Sequence, residues 1–508
     1  MARITDLSNE LLLHIGSFLH LRLSAKQFFR AQREEKGREL ILHEHRASFL
    51  NLCVVSKRFN GVFTRELYRF ASIQSRNGPR QLLSLLRLLR FKPGLFHCIE
   101  RVYLDLRPAP YGGSSLSHTQ MLPMKTWAEE LGLTVDNNIM TTLALWQSHD
   151  GRILSSQFSP EERRNFWQVE QNSLAVLAAI LLASLHRAQE VAFSTTAGVL
   201  RHIPVCLGIA GSQSNAPQGN LLPALKSLVL RSAGTQITDI ETHRLSQTEI
   251  HHLTAMWKSI SEVCLNEICI SQDENIDEAE KPESRVASLI FQNVHFRHGD
   301  SSIETLLVGY RNISKFGCYN TGTIFHPFGF FLPTPRRLTD ALANEIRANK
   351  LKSLCIYMDP FPKIDTCRVK DVIKEESKAC KPLEALGSLE AFSNLELLYI
   401  DKWSFRNGPK TNVLVKQRSK AGDLVQAEVE VHDVILTLPH SLRWLAVGGC
   451  TDGVTGSVSW FANNRRSMPH FYALAIRRCK AEGYEALTKE LRGWIKFSAC
   501  HFVPFELL

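Results

Sequence analysis

Near the amino terminus, apolar residues recur at three- and four-residue steps: Leu7, Leu11, Leu12, Ile15, Phe18 and Leu19. That spacing gathers them on one side of a helix that begins near Ser8, a good cap or first-turn residue. A second block, Phe49 to Arg69, sets Leu52, Val55, Phe59, Val62 and Phe63 at the same intervals. Two or three short helices are therefore predicted for a small head. Beyond it the pattern changes to short Val/Leu/Ile runs alternating with helical segments, the order of parallel strands joined by helices.

Within this second part an apolar triplet spaced three and then two residues apart returns repeatedly, as in the strand segment of a leucine-rich repeat. Usable frames start at Ile99, Ala188, Leu225, Ile260, Val286, Ile313, Leu351, Leu395, Leu442 and Phe471. Chance alone yields such triplets at roughly 0.09 per position in a chain this apolar, so context has to select them. Pro223, Pro439 and Pro469 supply it as turn residues before their frames, and Leu338 to Ala348 supplies a helical run before Leu351. Two frames add a ninth-position cysteine, Cys450 and Cys479. A strand and helix that cannot bury their own apolar faces must stack on neighbours. The predicted class is α/β: a helical head followed by an irregular, leucine-rich-repeat-like solenoid with a parallel sheet. Polar breaks at Pro108 to Thr119, Gly211 to Asn220, Ser271 to Ser284 and Arg406 to Gly422 read as surface loops.

The chain has 508 residues, 44% apolar and 22% charged, the balance of a folded protein of two or more domains or of one long repeat array. Its net charge of +10 is thinly spread and names no partner. Twelve scattered cysteines include no Cys-x-x-Cys pair, which fits reduced thiols in a cytoplasmic or nuclear protein. The first ten residues do not read as a secretory signal. Leu174 to Leu185 is the longest apolar stretch, well short of the ~20 residues of a membrane span, and reads as a buried helix.

Three pieces of the head belong together: Asp6-Leu7-Ser8-Asn9-Glu10-Leu11-Leu12 with Ile15 and Leu19, then Val55-Ser56-Lys57-Arg58-Phe59-Asn60, then Leu67-Tyr68-Arg69. They resemble the F-box, in wording closest to fungal F-box proteins. The resemblance implies a three-helix motif that docks on the Skp adaptor of a cullin-RING ubiquitin ligase, with a carboxy-terminal repeat domain that holds the protein to be ubiquitylated. It covers an F-box-like domain at 1–73 and leaves 74–508 as the repeat domain. Leu386 to Ile400 and Leu438 to Leu445 resemble the divergent repeats of the same proteins. Two departures stand out: Ser8 replaces the family's usual proline, which a helix start tolerates, and a basic block at about 20–48 interrupts the motif. That block is either a basic helical insertion or a translated intron.

The adaptor contacts implied by the resemblance are Leu7, Leu11, Leu12, Ile15, Leu52, Val55 and Phe59, some of which must form the motif's own core. Helical periodicity cannot sort them. On the strands, residues between the frame positions point away from the frame side and predict an exposed ladder. It includes Tyr103, Arg231, Tyr357, Tyr399, Trp444 and Arg477, with Asp105, Val229, Cys355 and Asp401. Tyr, Trp and Arg dominate protein-binding hot spots, so this ladder is the expected substrate surface.

Other chemistries find little footing. Cys264, Cys269, His295 and His298 lack zinc-finger spacing, and the two cysteines, flanked by apolar neighbours, read as strand thiols. Phosphate-loop, nucleophile-elbow, zinc-protease and kinase motifs are missing, so no catalysis and no cofactor are expected. Arg465-Arg466 and Arg477-Arg478 near Trp460, Phe461 and Phe471 are thin grounds for nucleic-acid binding. The function expected is substrate recognition for an SCF-type ubiquitin ligase, by a non-catalytic subunit with no membrane partner. The alternatives are a repeat scaffold that does not bind the adaptor and, behind it, a basic nucleic-acid-associated protein.

Overall fold

The computed structural model describes residues 7–19, 35–73, 78–106, 116–135, 139, 141, 159–208, 222–232, 244–271, 284–297, 302–320, 330–343, 345–358, 385–401, 409–418, 424–448, 457, 460–461, 470–471 and 473–477. The chain is a mixed α/β protein that groups into two compact units, Met1–Cys264 and Leu265–Leu508. The helical head therefore belongs to the same unit as the first strands.

In the first unit, helices α1 (Asn9–Ser17), α2 (Glu35–Val55) and α3 (Lys57–Tyr68) precede strand β1 (Phe70–Ile73). Three further strands follow: β2 (Arg101–Asp105), β3 (Glu190–Thr195) and β4 (Ser227–Ser232). They lie in the order β1-β2-β3-β4, every pair parallel. The chain then enters the strand Glu262–Asn266, whose first amide donates to the Lys226 carbonyl. In the second unit, the strands Ser288–Gln292, Lys315–Asn320, Ser353–Met358, Leu397–Asp401, Trp444–Gly448 and Ala473–Arg477 are parallel neighbours in chain order.

All ten sequence frames hold a strand, and each strand starts two residues after its frame, from Arg101 after Ile99 to Ala473 after Phe471. The register keeps the same offset, so Arg101 stands beside Glu190 and Glu190 beside Ser227, while Lys315 stands beside Ser353 and Ser353 beside Leu397. Frame side chains make the core: Leu225, Leu228 and Leu230 are fully buried, as are Ile313, Phe316 and Cys318. Burying each large apolar side chain contributes about 1.5–3 kcal/mol, which stacking supplies and an isolated strand–helix pair could not.

The connecting helices start where short polar residues can satisfy their free amides. Ser117 and Ser246 each complete a reciprocal capping box, with Gln120 and Glu249 respectively, and Thr334 caps a helix whose first residue is Pro335. The predicted buried helix lies within Pro160–Ser184, where Leu174 to Leu182 is sealed from solvent. Among the described residues no helix is long and apolar enough to cross a membrane.

The expected loop at Arg406 to Gly422 needs correcting. Lys410–Arg418 is a strand paired antiparallel along its whole length with Leu424–His432. Its strand character lies in the β-branched Thr411, Val413 and Val415 at every second position, a signal interrupted by Leu414 and masked by the Gly, Lys and Arg around it. The other predicted loops fall wholly or largely outside the described residues, and the one ending at Thr119 gives way to a helix at His118. Strand β1 was not among the frames.

Candidate docking face on the N-terminal helices

Each head helix buries a pair of residues four apart. They are Leu12 and Gly16 on α1, Phe49 and Cys53 on α2, and Phe59 and Phe63 on α3. With the partly buried Leu7, Leu52, Val62 and Leu67 they form one small core. The aromatic rings pack directly, Phe59 to Phe63 at 5.6 Å between centroids and Phe49 to Phe63 at 6.2 Å. Gly16 lets α1 approach this stack, because a Cβ there would stand 2.7 Å from Cε1 of Phe63.

Polar contacts fix the helix ends. Ser8 caps α1 by accepting from the Leu11 amide at 3.4 Å, so this serine does start the helix. The Glu10 backbone amide at the helix start, and then the Ser8 hydroxyl, hold the exposed Glu10 carboxyl below its usual range. Ser56 caps α3 through the Phe59 amide at 3.1 Å. Next to it, the Arg58 guanidinium donates to the Leu7 carbonyl and to Asn9 Oδ1, tying the start of α3 to the start of α1. Asn60 reaches back to the Cys53 carbonyl at 3.2 Å.

Beside the buried pairs lie exposed ones. Leu11 and Ile15 on α1 are 51% and 39% exposed, continuing through Phe18 at 66% and Leu19 at 39%. On α2, Leu50, Val54 and Val55 are 50%, 80% and 59% exposed. Among the described residues, twelve large apolar side chains are exposed, and eight of them, Leu13 included, belong to α1, α2 and their ends, so apolar surface is concentrated on the head. Exposed apolar surface gathered on one small part of a protein is a feature of contact sites.

The structure thus sorts the seven adaptor-contact candidates. Leu11, Ile15 and Val55 are exposed, Leu7 and Leu52 are half-buried, and Leu12 and Phe59 are core. Those last two cannot offer their side chains to a partner, because they fill the space between the three helices. Periodicity missed Leu50 and Val54, which stand one position beyond the buried pair Phe49 and Cys53.

Helix α2 covers the second half of the expected insertion at 20–48. It runs unbroken from Glu35 to Val55, so residues 35–48 are continuous with the helix that carries Phe49 and Cys53. Two of its residues pack on β1: buried His45 lies 6.2 Å from the Phe70 ring, and Arg46 donates to the Ser72 carbonyl at 2.7 Å. Burial lowers the Arg46 pKa from its usual value. Residues 20–34 lie outside the described ones.

The expected exposed ladder is mostly covered, which corrects the substrate-surface reading. Tyr103 is 1% exposed beneath the Phe70 ring, 4.6 Å away on the neighbouring strand, on which His45 of the head stands in turn. Burial, then the nearby Glu190, pushes its hydroxyl pKa far above the usual phenol value. Arg231 is 9% exposed and donates to Ser194 Oγ at 3.4 Å on the adjacent strand. Tyr399 is buried, its hydroxyl filling the space above Gly448. Tyr357, 6.4 Å from the Tyr399 ring, and Trp444 remain half-buried. Arg477 occupies a strand position beside Gly448, and its side chain lies outside the described residues.

Cys264 and Cys269 are buried within strands, as expected of structural thiols, and burial pushes the Cys269 thiol up to about 12. His295 is buried, and His298 lies outside the described residues, as do Arg465, Arg466 and Arg478. No group of three metal-ligating side chains gathers among the described residues.

No family model matches the chain, and no curated protein matches it. Among solved structures it is similar to a chain in the crystal structure of the TLR13–ssRNA13 complex, at 11% identity and a TM-score of 0.24. That match covers 62% of this chain and 41% of the other, so this chain spans about two fifths of its length. The class of protein is defined by its own strands: mixed α/β, with parallel strands succeeding one another in chain order in both units.

Proposed function

We propose that the chain is the substrate-recognition subunit of an SCF-type ubiquitin ligase, docking on a Skp adaptor through the head and holding a protein substrate through a leucine-rich-repeat-like domain. The observation that carries this reading is the split on α1, where Leu12 and Gly16 close the core while Leu11, Ile15 and Phe18 face solvent. It adds to the resemblance of Asp6 to Leu12 and Val55 to Asn60 to the F-box. In this reading the chain contributes proximity: tethering raises the effective concentration of substrate lysines near the ubiquitin-loaded enzyme. It supplies no acid, base or nucleophile. Tyr357 and Trp444 are the half-buried ladder members that remain suited to substrate contact.

The test is a pull-down of the full chain with purified Skp adaptor. Changing Leu11→Asp with Ile15→Asp places charge on exposed positions, where the fold tolerates it within about 0.5 kcal/mol, yet it puts unpaired charge into an apolar contact. Circular dichroism should be unchanged and binding lost. Leu12→Asp is unsuited to this purpose, because it would unfold the head. A well-folded wild-type chain that does not retain the adaptor would refute the assignment in favour of a non-catalytic scaffold.

A further inference from the structure

In the second unit one guanidinium is buried without a countercharge. Arg347 is 6% exposed, and its Nη2 donates to the Ala341 carbonyl at 2.7 Å, near the end of the helix Pro335–Leu342. A helix C-terminus suits a cation, but this contact uses one of five donors. The buried Nε–H has no acceptor. Among the described residues no carboxylate pairs with it, and burial followed by the neighbouring Arg311 charge pushes its pKa below the usual guanidinium range. An uncompensated buried charge with an unmade hydrogen bond is a costly arrangement for a structural residue alone.

More cationic and amide groups surround it at the surface. Two turns meet here, one carrying Arg311 and Asn312 and the other carrying Asn349 and Lys350, directly after the short helix Glu345–Ala348 that holds Arg347. The Lys350 ammonium donates to Asn312 Oδ1 at 2.7 Å, holding the turns together. Arg311, Asn312, Asn349 and Lys350 are all exposed, and the Arg311 charge acts on the buried guanidinium. A planar guanidinium with free donors, flanked by an ammonium and a second guanidinium, is the donor set that recognises a tetrahedral oxyanion.

We propose that Arg347, with the neighbouring exposed Lys350 and Arg311, forms a binding site for a phosphate group. The site is independent of the head and of adaptor docking. Its ligand is either free phosphate or a phosphorylated side chain of a protein, and the two share the chemistry that the site reads.

The test is isothermal titration of the full chain with inorganic phosphate, against chloride at matched ionic strength. Saturable phosphate binding is expected, weakened about tenfold or more in the double variant Arg311→Ala, Lys350→Ala, given the strength of charge-assisted hydrogen bonds. Both changes are at exposed positions, so circular dichroism should not move. Arg347→Lys keeps the charge, loses the fork, and should weaken phosphate binding while the fold persists. A second arm uses a phosphoserine peptide and its unphosphorylated twin. Displacement of phosphate by the phosphopeptide alone identifies a phosphoprotein ligand, and no displacement by either identifies a small free anion. A folded wild-type chain without saturable phosphate binding, or a double variant that binds equally well, would overturn the proposal.

Discussion

Two glycines in the head should respond oppositely to the same substitution. Gly61, in the middle of α3, has nothing within 4 Å of where a Cβ would stand, whereas Gly16 on α1 faces Cε1 of Phe63 at 2.7 Å. Replacing glycine by alanine inside an exposed helix stabilises it by about 0.8–1.0 kcal/mol. Gly61→Ala should gain that amount, slowing local opening of the head about fourfold to fivefold. At Gly16 the same gain meets a contact shorter than real Cβ atoms make. The Phe63 ring cannot yield easily, since it is 1% exposed and held by Phe49 and Phe59. Overpacking of this kind costs about 1–3 kcal/mol, so Gly16→Ala should lose roughly 1 kcal/mol net and open about fivefold faster. Hydrogen exchange of the full chain, read by mass spectrometry on peptides from α1 and α3, resolves the head without requiring the other strands to unfold. Slower exchange in Gly16→Ala, matching Gly61→Ala, would show that α1 does not rest on Phe63 and would refute the packing on which the docking face depends.

Three further outcomes are expected. Excising 20–34 should leave the head's exchange protection intact, while excising 20–48 should abolish it by removing His45 and Arg46 and cutting α2 to Phe49–Val55; equal protection in both would contradict the packing of α2 on β1. In native-state alkylation at pH 8, half-buried Cys98 should label well before Cys269, whose thiol is held near 12 by burial, and comparable rates at both would argue against that burial. His432 has its pKa lowered by burial, then by Lys410, against the opposing pull of Glu430 and Asp433. Its contribution to stability is therefore full above the ordinary histidine range and is lost as pH falls through the lowered folded value. Exchange protection around Asp433–Leu436, corrected for intrinsic rates, should fall between pH 7.5 and 5, and His432→Gln should flatten that dependence.

Much of the fold was legible because the frame positions carry the energy. A parallel strand that must bury one face completely shows its apolar triplet whatever its loops do, and the two-residue offset between frame and strand holds at all ten positions. What escaped were elements without a triplet to bury. Strand β1 is only four residues, Phe-Ala-Ser-Ile, and is defined by its partner Arg101 to Leu104 rather than by its own pattern. The hairpin Lys410–His432 pairs with itself and draws little of its signal from a core. On the head, the exposed and buried stripes are adjacent on the same helix, and both are apolar. Leu11 and Leu12 therefore look alike in sequence, and only the position of the Phe49, Phe59 and Phe63 rings separates them.

The covered ladder has a different cause. Polar and aromatic residues between frame positions were expected to face solvent, yet Arg231, Tyr399 and Asp401 are buried. A parallel sheet closed on both faces ordinarily shows continuous apolar strands. Here the second face instead carries polar groups matched across neighbouring strands. Arg231 donates to Ser194, its own register partner, and the Asp401 carboxylate accepts from the Met358 amide on the adjacent strand. Gly448, register partner of Asp401, leaves room for the Tyr399 hydroxyl. A slip of one residue would turn Asp401 to the frame side among Leu398 and Ile400, stranding a carboxylate in an apolar core. These residues therefore act first as register locks. The types that mark a binding hot spot and the types that fix a buried register overlap, and the residue across the strand distinguishes them. For Arg231 that residue is Ser194, a position fixed as soon as the frames at Ala188 and Leu225 are aligned.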